Sequence, residues 1–140
     1  RGKDFFMKHI TGLAHIALFT KDLETSVKFY ECLGGKVTGQ ADIRKPLGTN
    51  HIKIVSMPGF NLEIIEPHDG TAIPAADGLF PHIAIEVNDI DAAIAELKEL
   101  GITSFRNGVD KAADLPIFGG IRNVFFSGPN GEQLELLQHM

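Results

Sequence analysis

Several classes of protein are excluded by what this sequence has little of. A single cysteine, Cys32, cannot close a disulfide within the chain, so no disulfide framework supports the fold and a reducing, cytoplasmic setting is expected. No apolar run approaches the roughly 20 residues that span a bilayer, so no membrane association is expected. The opening residues lack the basic, apolar and small-residue succession of a secretory leader; Met7 is expected to be the natural start. Lys and Arg are scattered and outnumbered, 13 against 18 Asp and Glu for a net charge of −5, so the basic footprint of a nucleic-acid binder is missing. The 140 residues, 44% hydrophobic and 22% charged, suit one globular domain with a real core. Small molecules and protein partners remain as what it meets.

The chain repeats itself, and repeats govern the rest of the reading. Setting His15 on His82, a shift of 67 residues, aligns "HIALFTKDL" (15–23) with "HIAIEVNDI" (82–90). The same shift pairs Val27 with Ile94, Leu33 with Leu100 and Gly34 with Gly101. Further on, "LEIIEP" (62–67) faces "LELLQH" (134–139) at a shift of 72, the difference being one of loop length. Residues 1–10 are expected to be an extension of a single domain, 11–140. Its two repeats span about 11–67 and 79–139, joined by the Gly-, Pro- and Ala-rich connector 68–78.

Each repeat opens with a short strand rich in Ile, Leu, Val and Phe. An Asp placed to cap a helix follows, Asp22 in the first copy and Asp89 or Asp91 in the second. Leu23, Val27 and Tyr30, then Ile90, Ile94 and Leu97, fall at helical spacing. Gly34 and Gly101 stand where a helix C-terminus calls for a left-handed residue. "HIKIVSM", "NLEIIEP", "IRNVFFS" and "EQLELLQ" read as strands, the last two joined by the turn "GPNG".

Four residues stand out chemically. His15 and His82 match between the copies, as do Glu63 and Glu135, each Glu lying in the middle of an apolar strand. A carboxylate there is costly to bury unless it is paired or coordinates a metal. A lone strand histidine or glutamate is ordinarily structural or solvated, but the matching of both types in both copies is a joint observation. If a pseudo-two-fold axis relates the halves, the four side chains converge on one point as a mixed N/O site for a divalent ion. Two coordination positions would remain for substrate oxygens.

With these motifs the chain resembles the glyoxalase/bleomycin-resistance/dioxygenase group, the vicinal-oxygen-chelate superfamily. "HIALFTKDLETSVKFYECLGG", "LEIIEP", "HIAIEVNDIDAAIAELKELGI" and "GPNGEQLELLQ" carry the resemblance from about Gly12 to Gln138. The resemblance implies an α+β fold of two tandem βαβββ modules, forming a curled, half-barrel mixed sheet around a metal site. It carries ligation of one divalent ion (Ni, Co, Zn, Mn or Fe) onto His15, Glu63, His82 and Glu135, a set similar to that of glyoxalase I, the lactoylglutathione lyase. It also implies a homodimer. Where compact bacterial glyoxalase I has the Arg and Asn that hold glutathione, Phe19 and Pro67 stand here, so the resemblance leaves glutathione binding unsupported.

The function so implied is a metal-dependent lyase or isomerase that moves a proton next to a carbonyl through an enediolate, on a small carbonyl or thioester substrate. Glu135 is the first candidate for the base and Glu63 the second. Epimerisation of the methylmalonyl-CoA kind shares the step, and a non-catalytic, antibiotic-sequestering module is the remaining alternative. Phe19, Phe118 and Arg122 are candidate substrate contacts, Arg122 for an anionic group; "LPIFGGIRN" (115–123) is read as a mobile loop. His51 and Lys53 are expected on an exposed strand face, His68 in solvent and His139 in a frayed terminus.

Overall fold

The computed structural model describes residues 13, 15–68, 82–117 and 119–140. The extension 1–10, the connector 68–78 except His68, and Phe118 lie outside the described residues. The first module runs β1 (Ile16–Phe19), α1 (Leu23–Cys32), β2 (Lys36–Lys45), β3 (Gly48–Met57) and β4 (Phe60–Glu66). The second runs β5 (Ile83–Glu86), α2 (Ile90–Glu99), a short 3-10 turn at Arg106–Gly108, β6 (Ala113–Leu115), β7 (Ile121–Ser127) and β8 (Gln133–His139). Each forms a four-stranded mixed sheet, in the orders β1-β4-β3-β2 and β5-β8-β7-β6. The α+β class and the paired βαβββ modules are as expected; the two sheets stay open rather than closing on one another.

The repeat in sequence is a repeat in hydrogen bonding. Asp22 accepts from the Thr25 N–H at 3.2 Å and Asp89 from the Ala92 N–H at 3.1 Å, so Asp89 and not Asp91 caps the second helix. Glu66 and Gln138 each reach back from the end of the last strand to the first N–H of their helix, at Leu23 (2.7 Å) and Ile90 (2.9 Å). Gly34 and Gly101 take φ of +96° and +78°, the left-handed conformation that satisfies the last helical carbonyls without a Cβ clash.

Val55, Met57, Leu62 and Ile64 on the first sheet, and Val124, Phe126, Leu134 and Leu136 on the second, join both helices in one apolar cluster. The helix-facing sides of both sheets are therefore consumed in a shared core. Polar contacts cross between the modules at the start and the face of the first helix. Thr20 and Ser26, both fully buried, bind Asn130 of the β7–β8 turn at 3.1 and 2.8 Å, and Tyr30 donates to Glu132 at 2.8 Å. Their counterparts in the second module are Val87, Ala93 and Leu97, which need no such partners. Buried hydroxyls must be hydrogen-bonded, so the first helix specifies where the second module's turn docks.

Tyr30 is the chain's single tyrosine. Burial, then the neighbouring Glu132 carboxylate, push its hydroxyl well above the ordinary value near 10. The folded state thus holds this proton more tightly than the unfolded chain does. The contribution is complete below about pH 10 and is lost as pH rises beyond it, by up to about 1.4 kcal/mol per pH unit. Alkaline titration should show phenolate absorbance appearing only together with unfolding, and Tyr30→Phe should remove that part of the alkaline loss. At neutral pH the same substitution should cost about 1 kcal/mol in urea unfolding.

Gly35 meets a tighter constraint. A Cβ there would lie 2.7 Å from the Tyr30 carbonyl oxygen, 2.7 Å from Val55 Cγ1 and 2.8 Å from Met57 Sδ. Gly35→Ala is expected to destabilise by about 1–3 kcal/mol through overpacking, read as a lower urea midpoint with unchanged slope.

Candidate metal centre

The parallel pair β1–β4 sets Ala17 opposite Glu63, and β5–β8 sets Ala84 opposite Glu135. Side chains alternate along a strand, so His15 shares a face with Ala17, and His82 with Ala84. Each histidine consequently stands beside the glutamate of the neighbouring strand. His15 Nε2 lies 3.5 Å from Glu63 Oε1, and His82 Nε2 lies 3.2 Å from Glu135 Oε1. The residue directly across from each carboxylate is alanine, which leaves room in front of it.

The spacing fits a shared ion. An imidazole nitrogen and a carboxylate oxygen each about 2.1 Å from one metal, at a right angle, stand about 3 Å apart. The donor set is that of a borderline divalent ion. Asn123 Nδ2 donates to the other oxygen of Glu135 at 2.9 Å, the kind of support that orients a ligating carboxylate. Glu63 has no such partner among the described residues. Its side chain is 25% exposed against 7% for Glu135, so one carboxylate is loose and the other pinned.

The four candidate ligands stand as two pairs. Among the described residues no three His, Cys, Asp or Glu side chains gather closely enough to hold one ion. Which chain completes a four-residue centre is not fixed by the sequence, and in this arrangement the two pairs stand apart. The reason is the shared core: packing the helix-facing sides together turns the His/Glu faces outward.

Of the proposed substrate contacts, Phe19 lies on the His15–Glu63 face and is 41% exposed. Arg122 lies on the opposite face from His82 and Glu135. There its guanidinium is taken by Asp91 (2.9 and 3.2 Å) and Asp114 (2.9 Å), and Arg122 in turn holds the Asp91 carboxyl below its ordinary value. His51 and Lys53 sit in register with Glu66 and Ile64, on the helix side of the first sheet, away from Glu63. His68 is exposed, its backbone N–H bound to Asn50. His139 is not frayed: it ends β8, 3.8 Å from Glu86.

Two residues near the second pair escaped the sequence reading. Asn123 is a buried amide aligned with the apolar Ile52 of the first module, and that mismatch was its one signal. Arg106 lies over the Phe125 ring at 4.0 Å, and Phe125 meets the His82 ring edge-on at 5.4 Å. Nothing in its local sequence marks it.

The paired-module α+β fold is shared with a solved glyoxalase-family structure. Residues 12–136 match the sequence profile of the Glyoxalase/Bleomycin resistance protein/Dioxygenase superfamily, and the chain belongs to it. Among its relatives is the uncharacterized protein YwkD of Bacillus subtilis (strain 168), 28% identical over 132 residues, which cover 92% of this chain and 98% of that one. The glyoxalase family protein from Enterococcus faecalis has a similar structure, with a TM-score of 0.69 at 25% identity over 91% of this chain and 97% of that one. So has a variant of the fosfomycin resistance protein FosX from Listeria monocytogenes, complexed with Mn(II) and 1S,2S-dihydroxypropylphosphonic acid. Its TM-score is 0.66 at 22% identity, over 91% of each chain.

Asn123→Ala would leave the buried Glu135 carboxylate short of a donor and should lower stability by about 1–3 kcal/mol. Asn123→Asp sets a second carboxylate beside the first and should cost more. Urea unfolding at neutral pH checks both, and an Asn123→Asp protein as stable as wild type would contradict the pairing.

Proposed function

We propose that this protein is a divalent-metal-dependent enzyme of the glyoxalase kind, moving a proton at a carbon next to the carbonyl of a small carbonyl or thioester substrate. The observation that carries this reading is the pair of His–Glu contacts, equivalent in the two modules and spaced as ligands of one ion. A FosX variant of the same fold is complexed with Mn(II), which agrees with a divalent ion here. When bound, such an ion supplies Lewis acidity, taking up charge that develops on a substrate oxygen and easing loss of the neighbouring proton.

His15 and His82 would hold the ion through Nε2, the ring nitrogen that faces each glutamate. Glu135, buried and fixed by Asn123, keeps its orientation. Glu63 has room to swing and no second partner among the described residues, which suits a group that must collect a proton and return it. That asymmetry favours Glu63 over Glu135, the first candidate by resemblance, as the base. Phe19, on the same face, covers an apolar part of the substrate and keeps water from the reacting carbon.

The complete centre is proposed to form between two copies. The His/Glu faces point away from the shared core, and the first leaves Phe19 and Ile43 exposed at 41% and 43%. A two-fold pairing that sets the first sheet of one copy against the second sheet of the other makes two identical centres, each with two His and two Glu.

The wild-type protein, reloaded separately with Ni²⁺, Co²⁺, Mn²⁺ and Zn²⁺, should take up about one ion per chain, as two ligand pairs per ion require. His15→Ala and His82→Ala should each lose it. Turnover of the methylglyoxal–glutathione hemithioacetal or of methylmalonyl-CoA would establish the activity and choose between isomerase and epimerase. Mixing a His15→Ala/Glu63→Gln chain with a His82→Ala/Glu135→Gln chain should restore metal uptake, because one intact centre forms per mixed dimer. Absence of rescue on mixing would refute the shared centre, and absence of metal uptake by wild type would refute the enzyme reading.

A further inference from the structure

We infer that the cavity between the β3–β4 turn and α2 binds a small molecule with an apolar, ring-sized body and a cationic head. Docking of the two modules creates two equivalent clefts, each bounded by the helix of one module and the last hairpin turn of the other. The β7–β8 turn has five residues, 128–132, and its Asn130 and Glu132 fill the cleft against α1 through hydrogen bonds with Thr20, Ser26 and Tyr30. The β3–β4 turn has two, Pro58 and Gly59, and neither carries a side chain that could do the same against α2. A cavity of about 360 Å³ lies there instead. It is lined by Val87, Ala93 and Leu97, the positions equivalent to Thr20, Ser26 and Tyr30.

The cavity has a fixed apolar floor and a rim of one sign. Leu97, Phe126 and Leu136 are buried in the core beneath it, and buried Met57 forms part of one wall. A Cβ on Gly59 would meet no atom within 4 Å, so the turn leaves the space beside it open. Water in an apolar space of this kind finds few polar partners, and an apolar body gains by displacing it. The charged residues of the lining are two carboxylates, Glu86 and Glu96, with no lysine, arginine or histidine among the described residues. Glu86 has His139 at 3.8 Å, and Glu96 has no cation within ion-pair distance among the described residues. Such a rim attracts a positive head and repels a negative one. Small-molecule pockets hold about 300–1,000 Å³, and this one, at the lower end, suits one or two fused rings. None of the four candidate metal ligands lines the cavity, so its ligand does not depend on a bound ion.

Three naphthalene probes test the site by fluorescence anisotropy, free of background because the chain has no tryptophan. 1-Naphthylmethylamine, a cation at neutral pH, should bind saturably at about one per chain. 1-Naphthylacetate should bind about tenfold more weakly, and neutral 1-naphthylmethanol between the two, as a pair of exposed rim charges allows. Glu86→Gln/Glu96→Gln should bring the three affinities within about twofold of one another. Cys32 locates the binding: it is the single cysteine, it is exposed, and it lines the cavity. Saturating amine should slow its reaction with Ellman's reagent about threefold or more, the effect of covering one wall of a small pocket. Ala93→Phe, which puts a ring into the cavity, should weaken all three probes about tenfold or more; should that variant fail to unfold cooperatively, Cys32 protection in wild type decides in its place. Absence of saturable binding, or binding that leaves Cys32 reactivity unchanged, would overturn the site. Equal affinity for amine and carboxylate in wild type, or a preference that survives the double glutamate substitution, would overturn the cationic head.

Discussion

Both halves of the candidate centre depend on a parallel pairing of two short strands. β1 lies beside β4 and β5 beside β8, and in each pair the register decides which residue of the first strand flanks the glutamate of the second. A slip of one residue would turn the histidine to the helix side and the carboxylate into the core. The register is held at the C-terminal end of each strand pair. Thr20 and Val87 each donate a backbone hydrogen bond to the neighbouring strand at 2.9 Å, to Ile65 and Leu137, just beyond the paired residues. Glu66 and Gln138 then tie the end of that strand to the start of the helix. The candidate chemistry and the helix start are set by the same few backbone contacts.

The modules are equivalent in backbone and unequal in side chains. Thr20, Ser26, Tyr30 and Asn130 make the contact on one side polar and directional; Val87, Ala93 and Leu97 make the other apolar. A duplicated unit that kept identical faces could dock in more than one way, and buried hydroxyls with a single set of partners remove that freedom. The same inequality reaches the ligand pairs. Asn123 stands where the first module has Ile52, so one carboxylate is pinned and buried while the other keeps room to move. Two copies of one His–Glu pair thereby differ in burial and in hydrogen-bond support.

Charge around the second pair follows a different logic from charge elsewhere. Most cations with resolved contacts, among them Lys28, Lys98 and Arg122, have carboxylate partners close at hand. Arg106 is held by a ring and an amide instead, with no carboxylate partner among the described residues.

The sequence by itself determined the repeat, the first helix cap, the strand faces and the four candidate ligands. All of these rest on short-range periodicity and on the matching of His15 with His82 and Glu63 with Glu135. It did not reach Asn123 or Arg106, whose meaning comes from neighbours 12 and 27 residues away in the chain. It named Arg122 as a substrate contact because an arginine beside glycines looks available, whereas Asp91 of α2 and Asp114 of β6 pair with it. Nor did it reveal that the ligands stand as two outward-facing pairs. That was decided by which sheet faces the shared core consumes, a property of how the two modules bury apolar area together rather than of either module's own pattern.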